Sequence, residues 1–144
     1  MSAKPLSESA ERNLAFPQAE AELAQEAQAW VRHLAAQRRA SPLTVQAYIR
    51  DLTQFLSFLT EHLGERPNLG AFAELKPADL RAFMARRRAE GIESRSLMRA
   101  LAALRSFARH LEREGKGKAA AFIAVRSPKI ARSLPKPVSA QAAM

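Results

Sequence analysis

The amino-acid sequence predicts an all-α fold, built as a bundle of four to five helices. Apolar residues recur every three or four positions over most of residues 18–114, which is the period of an amphipathic helix. Proline stands at two predicted helix starts and glycine at three predicted helix ends, as is common in helical proteins. The sequence carries no alternating strand pattern, no hairpin signal and no internal repeat. Helices therefore account for all the regular structure that we predict.

The sequence pattern in the first half of the chain predicts a leader followed by two helices. Residues 1–17 are polar and irregular, and we expect a disordered leader there. A first helix covers about residues 18–39, where apolar side chains recur at helical spacing. The second helix follows Ser41 and Pro42, which are typical of an N-cap and a first helical position, and it ends at Gly64.

The second half predicts two long helices and a basic tail. In chain order we expect a loop at 65–75, a third helix at 77–91, a fourth at 94–114, one or two further turns at 119–125, and a linker at 126–144. The linker is rich in proline and basic residues, so it cannot continue a helix. The predicted helical domain thus spans residues 18–125.

The helix at 94–114 is predicted to be two-sided. With about 100° per residue, one face collects its apolar side chains, and the opposite face collects arginines around Ala102 and Ser106. The apolar face comprises Leu97, Leu101, Leu104, Phe107, Ala108 and Leu111, and the arginine face comprises Arg95, Arg99, Arg109 and Arg113. A long helix that carries guanidinium groups around small side chains suits a phosphate backbone.

Charge is distributed unevenly along the chain. Residues 1–75 carry seven Lys/Arg against nine Asp/Glu, a net charge of −2, and residues 76–144 carry sixteen against five, a net charge of +11. These sums agree with the formal net charge of +9 for the whole chain. The basic half contains the arginine-faced helix, so the distribution suits nucleic acid or an anionic membrane surface. The membrane surface fits less well, because the apolar face of this helix is expected to pack in a core.

Composition argues against several classes of protein. The chain has no cysteine, which excludes a disulfide framework, a cysteine zinc finger and thiol catalysis. His33, His62 and His110 are far apart, so we expect no metal site and expect each to be a surface or boundary residue on a helix. No apolar run is long enough to span a membrane or act as a secretory signal, which predicts a cytoplasmic protein with no membrane partner. No catalytic motif, cofactor site or small-molecule site is recognisable, and Tyr48 is expected in the core.

The candidate DNA contacts lie at the start of the second helix, along the 94–114 helix and in the linker. Hydroxyl, amide and guanidinium groups are the usual contacts to phosphates and base edges. The candidates are Ser41, Thr44, Gln46, Arg50, Ser94, Arg95, Ser96, Arg99, Arg105, Arg109, Lys129, Arg132 and Lys136. Arg105 lies between the two faces of its helix and is equally suited to an internal ion pair.

Two alternatives compete with this interpretation. The arginine face is also what the solvated side of a core helix looks like, and the same holds for Arg86, Arg87 and Arg88, which point in three directions. A helical protein-interaction module with a basic face for an acidic partner is the second function that fits.

Three stretches carry a resemblance to a known family. They are SPLTVQAYIRDLTQFLSFL at 41–59, LKPADLRAFMARRRAEGIESRSLMRALAALRSFARHLEREG at 75–115, and SPKIARSLPKPVS at 127–139. Together they resemble the N-terminal core-binding domain of bacterial tyrosine recombinases of the XerC/XerD group. The first stretch is shared with many phage-type integrases, whereas the second and third are more specific to the Xer group.

The resemblance implies a SAM-like helical domain that binds double-stranded DNA at a recombination site. It implies that the helices at 42–63 and 94–114 face the major groove, that the linker leads to a catalytic domain, and that related recombinase subunits meet on the DNA. The reaction implied is strand exchange through a phosphotyrosine link, in the resolution of chromosome dimers. The family's nucleophile lies beyond the linker, and the sequence ends at Met144, so we assign no catalytic residue and expect no enzyme activity from this chain alone.

Overall fold

Helices form all the regular structure in a computed structural model of the chain, which describes residues 16–37 and 39–128. Six helices lie within these residues: α1 Ala21–Ala36, α2 Pro42–Leu63, α3 Leu69–Ala73, α4 Pro77–Ala89, α5 Ser94–Arg113 and α6 Ala120–Ala124. The all-α prediction is confirmed. The four long helices and the short α6 lie where the sequence places them.

The ends of α2 show how local signals set a helix. The Ser41 hydroxyl oxygen accepts a hydrogen bond from the Thr44 backbone N–H at 3.1 Å, which satisfies one of the unpaired donors of the first turn. At the other end Gly64 has a φ of 84°, and its N–H donates to the Thr60 carbonyl at 3.0 Å. Glycine adopts the left-handed conformation at no steric cost, so Gly64 is a favourable residue at which to end the helix.

The prediction of a loop throughout 65–75 is wrong at α3. The Asn68 side-chain oxygen accepts from the Ala71 N–H at 2.8 Å and caps the short helix. Phe72 is buried, and its ring packs edge-on against Phe55 with 6.0 Å between ring centroids. Five residues are too few to display a helical period, so packing of Phe72 decides this structure instead.

The core contains one fully buried aromatic side chain from each of the six helices. Phe72 of α3 is central, with its ring centroid 5.3 Å from those of Phe107 and Phe122. Burying each such side chain contributes on the order of 1.5–3 kcal/mol relative to leaving it in water. The six aromatics are Trp30, Phe55, Phe72, Phe83, Phe107 and Phe122.

The segment before α1 is part of this core. Phe16 is completely buried, and the Glu20 N–H donates to the Pro67 carbonyl at 2.9 Å. The Thr60 hydroxyl lies 3.3 Å from the Gln18 carbonyl and 3.0 Å from the Leu56 carbonyl, between which its one hydrogen is shared. The predicted boundary at residue 17 is therefore too late, because an isolated aromatic residue has no periodic neighbours to reveal its burial. The rest of the predicted leader, and the linker from residue 129 onward, lie outside the described residues.

Two polar contacts join α1 to α5 inside the bundle. The Trp30 indole N–H donates to the Ser106 hydroxyl at 3.0 Å. His110 lies 3.2 Å from a carboxylate oxygen of Glu26, whose other oxygen accepts from the Lys116 ammonium at 2.6 Å. The expectation that every histidine lies at the surface or a boundary is wrong for His110, which is buried because Glu26 supplies a polar partner there.

Candidate nucleic-acid interface

Helix α5 carries its two predicted faces in the folded protein. All six residues of the apolar face are buried, which confirms that part of the prediction. On the other side Arg95, Ala102, Arg109 and Arg113 are exposed. The three arginines have no ion-pair or hydrogen-bond partner within residues 16–37 and 39–128. Their donors are therefore available to a ligand from outside this part of the chain.

Arg99, on the same side of α5, has a partner on α2. Its Nε donates to Asp51 Oδ2 at 2.9 Å and its Nη2 donates to Asp51 Oδ1 at 2.8 Å, so the pair is bidentate. The Asp51 side chain is only 7% exposed, whereas the Arg99 side chain remains 40% exposed. The hydrogen bond to Asp51 raises the pKa of Arg99 above its ordinary value, and the guanidinium stays charged.

Arg105 lies on the other edge of the arginine face, about 120° from Arg99 around the helix axis. Its guanidinium donates to the carbonyl oxygens of Phe122 at 2.9 Å and Ile123 at 3.3 Å, and also to that of Val125. These carbonyls lie at the C-terminal end of α6, where helix carbonyls lack partners within the helix. The structure thus gives Arg105 an internal role as a cap, and its contact with DNA stays a prediction.

The candidate residues at the start of α2 lie on the surface. Ser41 and Thr44 are occupied with each other, since the Ser41 hydroxyl also lies 3.0 Å from the Thr44 hydroxyl. Gln46 and Arg50, one turn apart, are exposed and without a partner in the described part of the chain. Leu43, which sequence reasoning passed over, is 76% exposed beside them.

The start of α5 lies beside the end of α4. The Ser94 hydroxyl accepts from Arg88 Nη2 at 3.1 Å, and Ser96 is half-buried. Arg86 and Arg87 pair with carboxylates, at 2.8 Å to Glu61 and 3.0 Å to Glu90. The three successive arginines therefore have three different surroundings, as their different directions on the helix predict.

The sequence analysis weighed Arg88 but missed its grouping with two further arginines. Arg81, Arg88 and Arg126 line a cleft of about 360 Å³ whose other lining residues include Met84 and Val125 but no acidic residue. Arg81 and Arg88 are seven residues apart on α4, so they lie on one face of the helix. This spacing could have been recognised in the sequence. Arg126 comes from a distant segment, so only the fold reveals its place.

Helices α2 and α5 pack together more extensively than any other pair of helices in the described part. Their contact brings the Asp51–Arg99 pair between the two helices that carry most of the candidate residues. Three further candidates, Lys129, Arg132 and Lys136, lie outside the described residues and stay predictions.

Anion binding is the chemistry that the exposed side of α5 suits best. No group of three or more His, Cys, Asp or Glu side chains is placed to hold a metal within the part of the chain that the structure describes. None of the helices found there is long and apolar enough to cross a bilayer. What α5 presents is a row of guanidinium groups, which suits phosphate groups.

This architecture matches a known class of domain. The sequence model of the family called phage integrase, N-terminal SAM-like domain, matches residues 27–115. The chain belongs to this family. Within it, the chain is similar to the N-terminal part of proteins called tyrosine recombinase XerC. The resemblance found in the sequence is therefore confirmed.

Three relatives illustrate how far this similarity extends. The XerC of Bradyrhizobium diazoefficiens is 56% identical over 133 residues, which cover 92% of this chain and 41% of the relative. The XerC of a Methylobacterium species is 60% identical over 115 residues, covering 80% and 36%, and that of Agrobacterium fabrum is 48% identical over 126 residues, covering 88% and 40%. The chain thus spans about two fifths of the length of these relatives. No solved structure matches the chain significantly.

Proposed function

We propose that this chain is the DNA-binding domain of a XerC-like, site-specific tyrosine recombinase. It positions the enzyme on double-stranded DNA at a recombination site, in the cytoplasm, during the resolution of chromosome dimers. The observation that carries the proposal is the face of α5, where Arg95, Arg109 and Arg113 are exposed and unpaired within the described part. The family relationship supports it independently.

The dimensions of α5 suit a duplex. Arg113 follows Arg95 by 18 positions, which corresponds to about 27 Å along a helix axis. Successive phosphates on one strand are about 3.4 Å apart along the duplex axis, and the major groove is about 12 Å wide and admits an α-helix. The row of arginines can therefore meet several phosphates at once. Gln46 and Arg50 on the neighbouring α2 add side chains suited to base edges.

Strand cutting is proposed to belong to another domain of the recombinase and not to this domain. Tyr48 stacks on Trp30 with 6.3 Å between ring centroids and packs against the core, so its role is structural. Related recombinase subunits are the proposed protein partners on the DNA. The basic α5 face is proposed to hold the substrate while another domain performs the reaction.

An interaction module for an acidic protein is the alternative. The cleft lined by Arg81, Arg88 and Arg126 favours it, because a cleft lined by cationic and apolar side chains also suits an acidic peptide. Salt sensitivity alone does not separate the two functions, since both depend on charge.

Competition separates them. We expect the full chain to bind a fluorescent duplex that carries a two-fold related recombination site, and to release it to unlabelled duplex far more readily than to polyglutamate. If about five phosphates are engaged, the logarithm of affinity should fall with the logarithm of salt concentration with a slope of roughly −4 to −5. A flat salt response, or release by polyglutamate ahead of duplex DNA, would contradict the proposal.

A further inference from the structure

We infer that Asp51 is a positioning residue that orients Arg99 toward a DNA phosphate. Its carboxylate holds one edge of the guanidinium, and the donors of the adjacent edge have no partner among the described residues. The inference rests on the proposed DNA-binding function and adds to it a residue that does not itself touch DNA.

The geometry of the pair leaves donors available. Of the five N–H donors of a guanidinium, the two short bonds to Asp51 occupy one on Nε and one on Nη2. The Nη1 group and the second Nη2 hydrogen have no partner within the described residues. Because the guanidinium is planar, these donors form a second edge directed away from Asp51, and two parallel N–H groups match two phosphate oxygens.

A positioning role needs a buried carboxylate and an accessible guanidinium, and the pair has both. The Asp51 side chain is 7% exposed, and both of its carboxylate oxygens accept from Arg99. The Arg99 side chain is 40% exposed, so a ligand can reach it. An arginine that is unrestrained in solution loses rotamer entropy when it binds, whereas Asp51 has already fixed Arg99. The carboxylate thereby preorganises the Arg99 side chain in the free protein, so less entropy is lost when DNA binds.

Neutralising Asp51 should change the affinity for DNA in the direction opposite to the one that charge alone predicts. Asp51 is an anion near a surface proposed to bind a polyanion, so simple electrostatics predicts that its neutralisation tightens binding. A positioning role predicts the reverse. Asp51→Asn should weaken binding to a duplex about threefold to tenfold, although it raises the net charge, and should make the salt slope shallower by about 1.

Three further variants of the full chain sharpen the test. Arg99→Lys keeps the charge but cannot form the bidentate pair, so Asp51→Asn on that background should cause little additional loss. Asp51→Ala guards against a specific effect of the asparagine amide. Glu61→Gln is the matched control, because it also removes a paired carboxylate of α2, 2.8 Å from Arg86, and it should leave affinity unchanged or tighter.

Binding is measured by fluorescence anisotropy with the duplex, at temperatures where circular dichroism shows each variant fully folded. Unchanged or tighter binding by folded Asp51→Asn with the wild-type salt slope overturns the inference. So does a loss of affinity with an unchanged salt slope, since that is the mark of a purely structural contact. In both cases salt-dependent binding by the wild-type chain leaves the proposed function standing, whereas failure of the wild type to bind duplex rejects the proposed function.

Discussion

The arginines of α5 differ in whether the protein itself supplies their partners. Arg99 and Arg105 lie at the two edges of the arginine face, and each finds acceptors on a neighbouring element. Arg95, Arg109 and Arg113 lie between or beyond them and have no acceptor in the described part. A substitution at the edges therefore changes the folded protein as well as its surface. A substitution in the middle of the face changes little except the surface.

Arg109→Ala tests the middle of the face. We expect it to leave the unfolding free energy within about 0.5 kcal/mol of the wild type, because the side chain is exposed and unpaired. It should weaken duplex binding and make the salt slope shallower by about 1, as the loss of one phosphate contact does. Arg32→Ala is the control, since Arg32 is an exposed and equally unpaired arginine on α1. Equal losses of affinity in the two variants would indicate attraction to net charge alone.

Arg105→Ala tests an edge of the face. It removes the donor shared by the carbonyls of Phe122, Ile123 and Val125, so the unfolding free energy should fall by about 1.5–3 kcal/mol. Urea denaturation followed by circular dichroism measures this loss. Arg105→Lys keeps the charge but not the fork of donors, and it should recover only part of the stability. Wild-type stability combined with weaker DNA binding would instead identify Arg105 as a DNA contact alone.

At the scale of elements, length helps prediction but does not settle it, since the five-residue α6 was predicted from its apolar run and the five-residue α3 was not. Helices α1, α2, α4 and α5 carry several turns of apolar spacing, and α2 also carries recognisable end signals, so the sequence suffices to place them. Helix α3 has five residues and no period. Its existence depends on the burial of Phe72 among side chains that are distant in sequence. Local patterns cannot report such contacts.

The same limit applies to the candidate interface. The spacing of Arg95, Arg109 and Arg113 along one helix correctly predicted an exposed row. The pair between Asp51 and Arg99 joins residues 48 positions apart, so the register of α2 against α5 had to be known before it could be found. The sequence therefore predicts which cations lie on one face, but not which of them the protein already pairs.

The contact between α1 and α5 gives a prediction about pH. Burial acts to raise the pKa of Glu26, but hydrogen bonds from Lys116 and His110 outweigh it, and the pKa lies below its ordinary value of 4.5. A carboxyl whose pKa is lower in the folded state contributes stability above the unfolded pKa, and this contribution is lost as the pH falls through the folded pKa. The unfolding free energy of the wild type should therefore decline as the pH falls below about 4.5.

Glu26→Gln isolates this contribution. The variant should be less stable than the wild type near neutral pH, and the difference should shrink as the medium becomes acidic. Urea denaturation over a pH series measures both curves. Asp79 also has a lowered pKa, with its hydrogen bonds from the Lys76 backbone and from His62 outweighing burial, and it remains in the variant, so some acid sensitivity persists. Parallel curves for the two proteins would show that Glu26 contributes nothing to the pH dependence.

At the scale of the whole molecule, stability and binding use different parts of the chain. The buried aromatics come from all six helices, so the core depends on every element in the described range. The positive charge is concentrated in residues 76–144, with a net charge of +11 against −2 for residues 1–75. The more acidic half thus helps to build the core that holds the basic helix. Loss of either half should abolish the arranged arginine face.

Phe16 tests how far this cooperative unit extends toward the N-terminus. Phe16→Ala should lower the unfolding free energy by about 3–5 kcal/mol, because it leaves a cavity in place of a completely buried ring. Phe16→Leu keeps most of the apolar volume and should recover much of that loss. Trp30 is the only tryptophan, so its fluorescence reports the core, while circular dichroism reports the helices. The two signals should show one shared urea midpoint, shifted by the alanine variant, as a single cooperative unit requires. A shift of less than about 0.5 kcal/mol would place Phe16 outside the unit and restore the boundary at residue 17 that the sequence predicts.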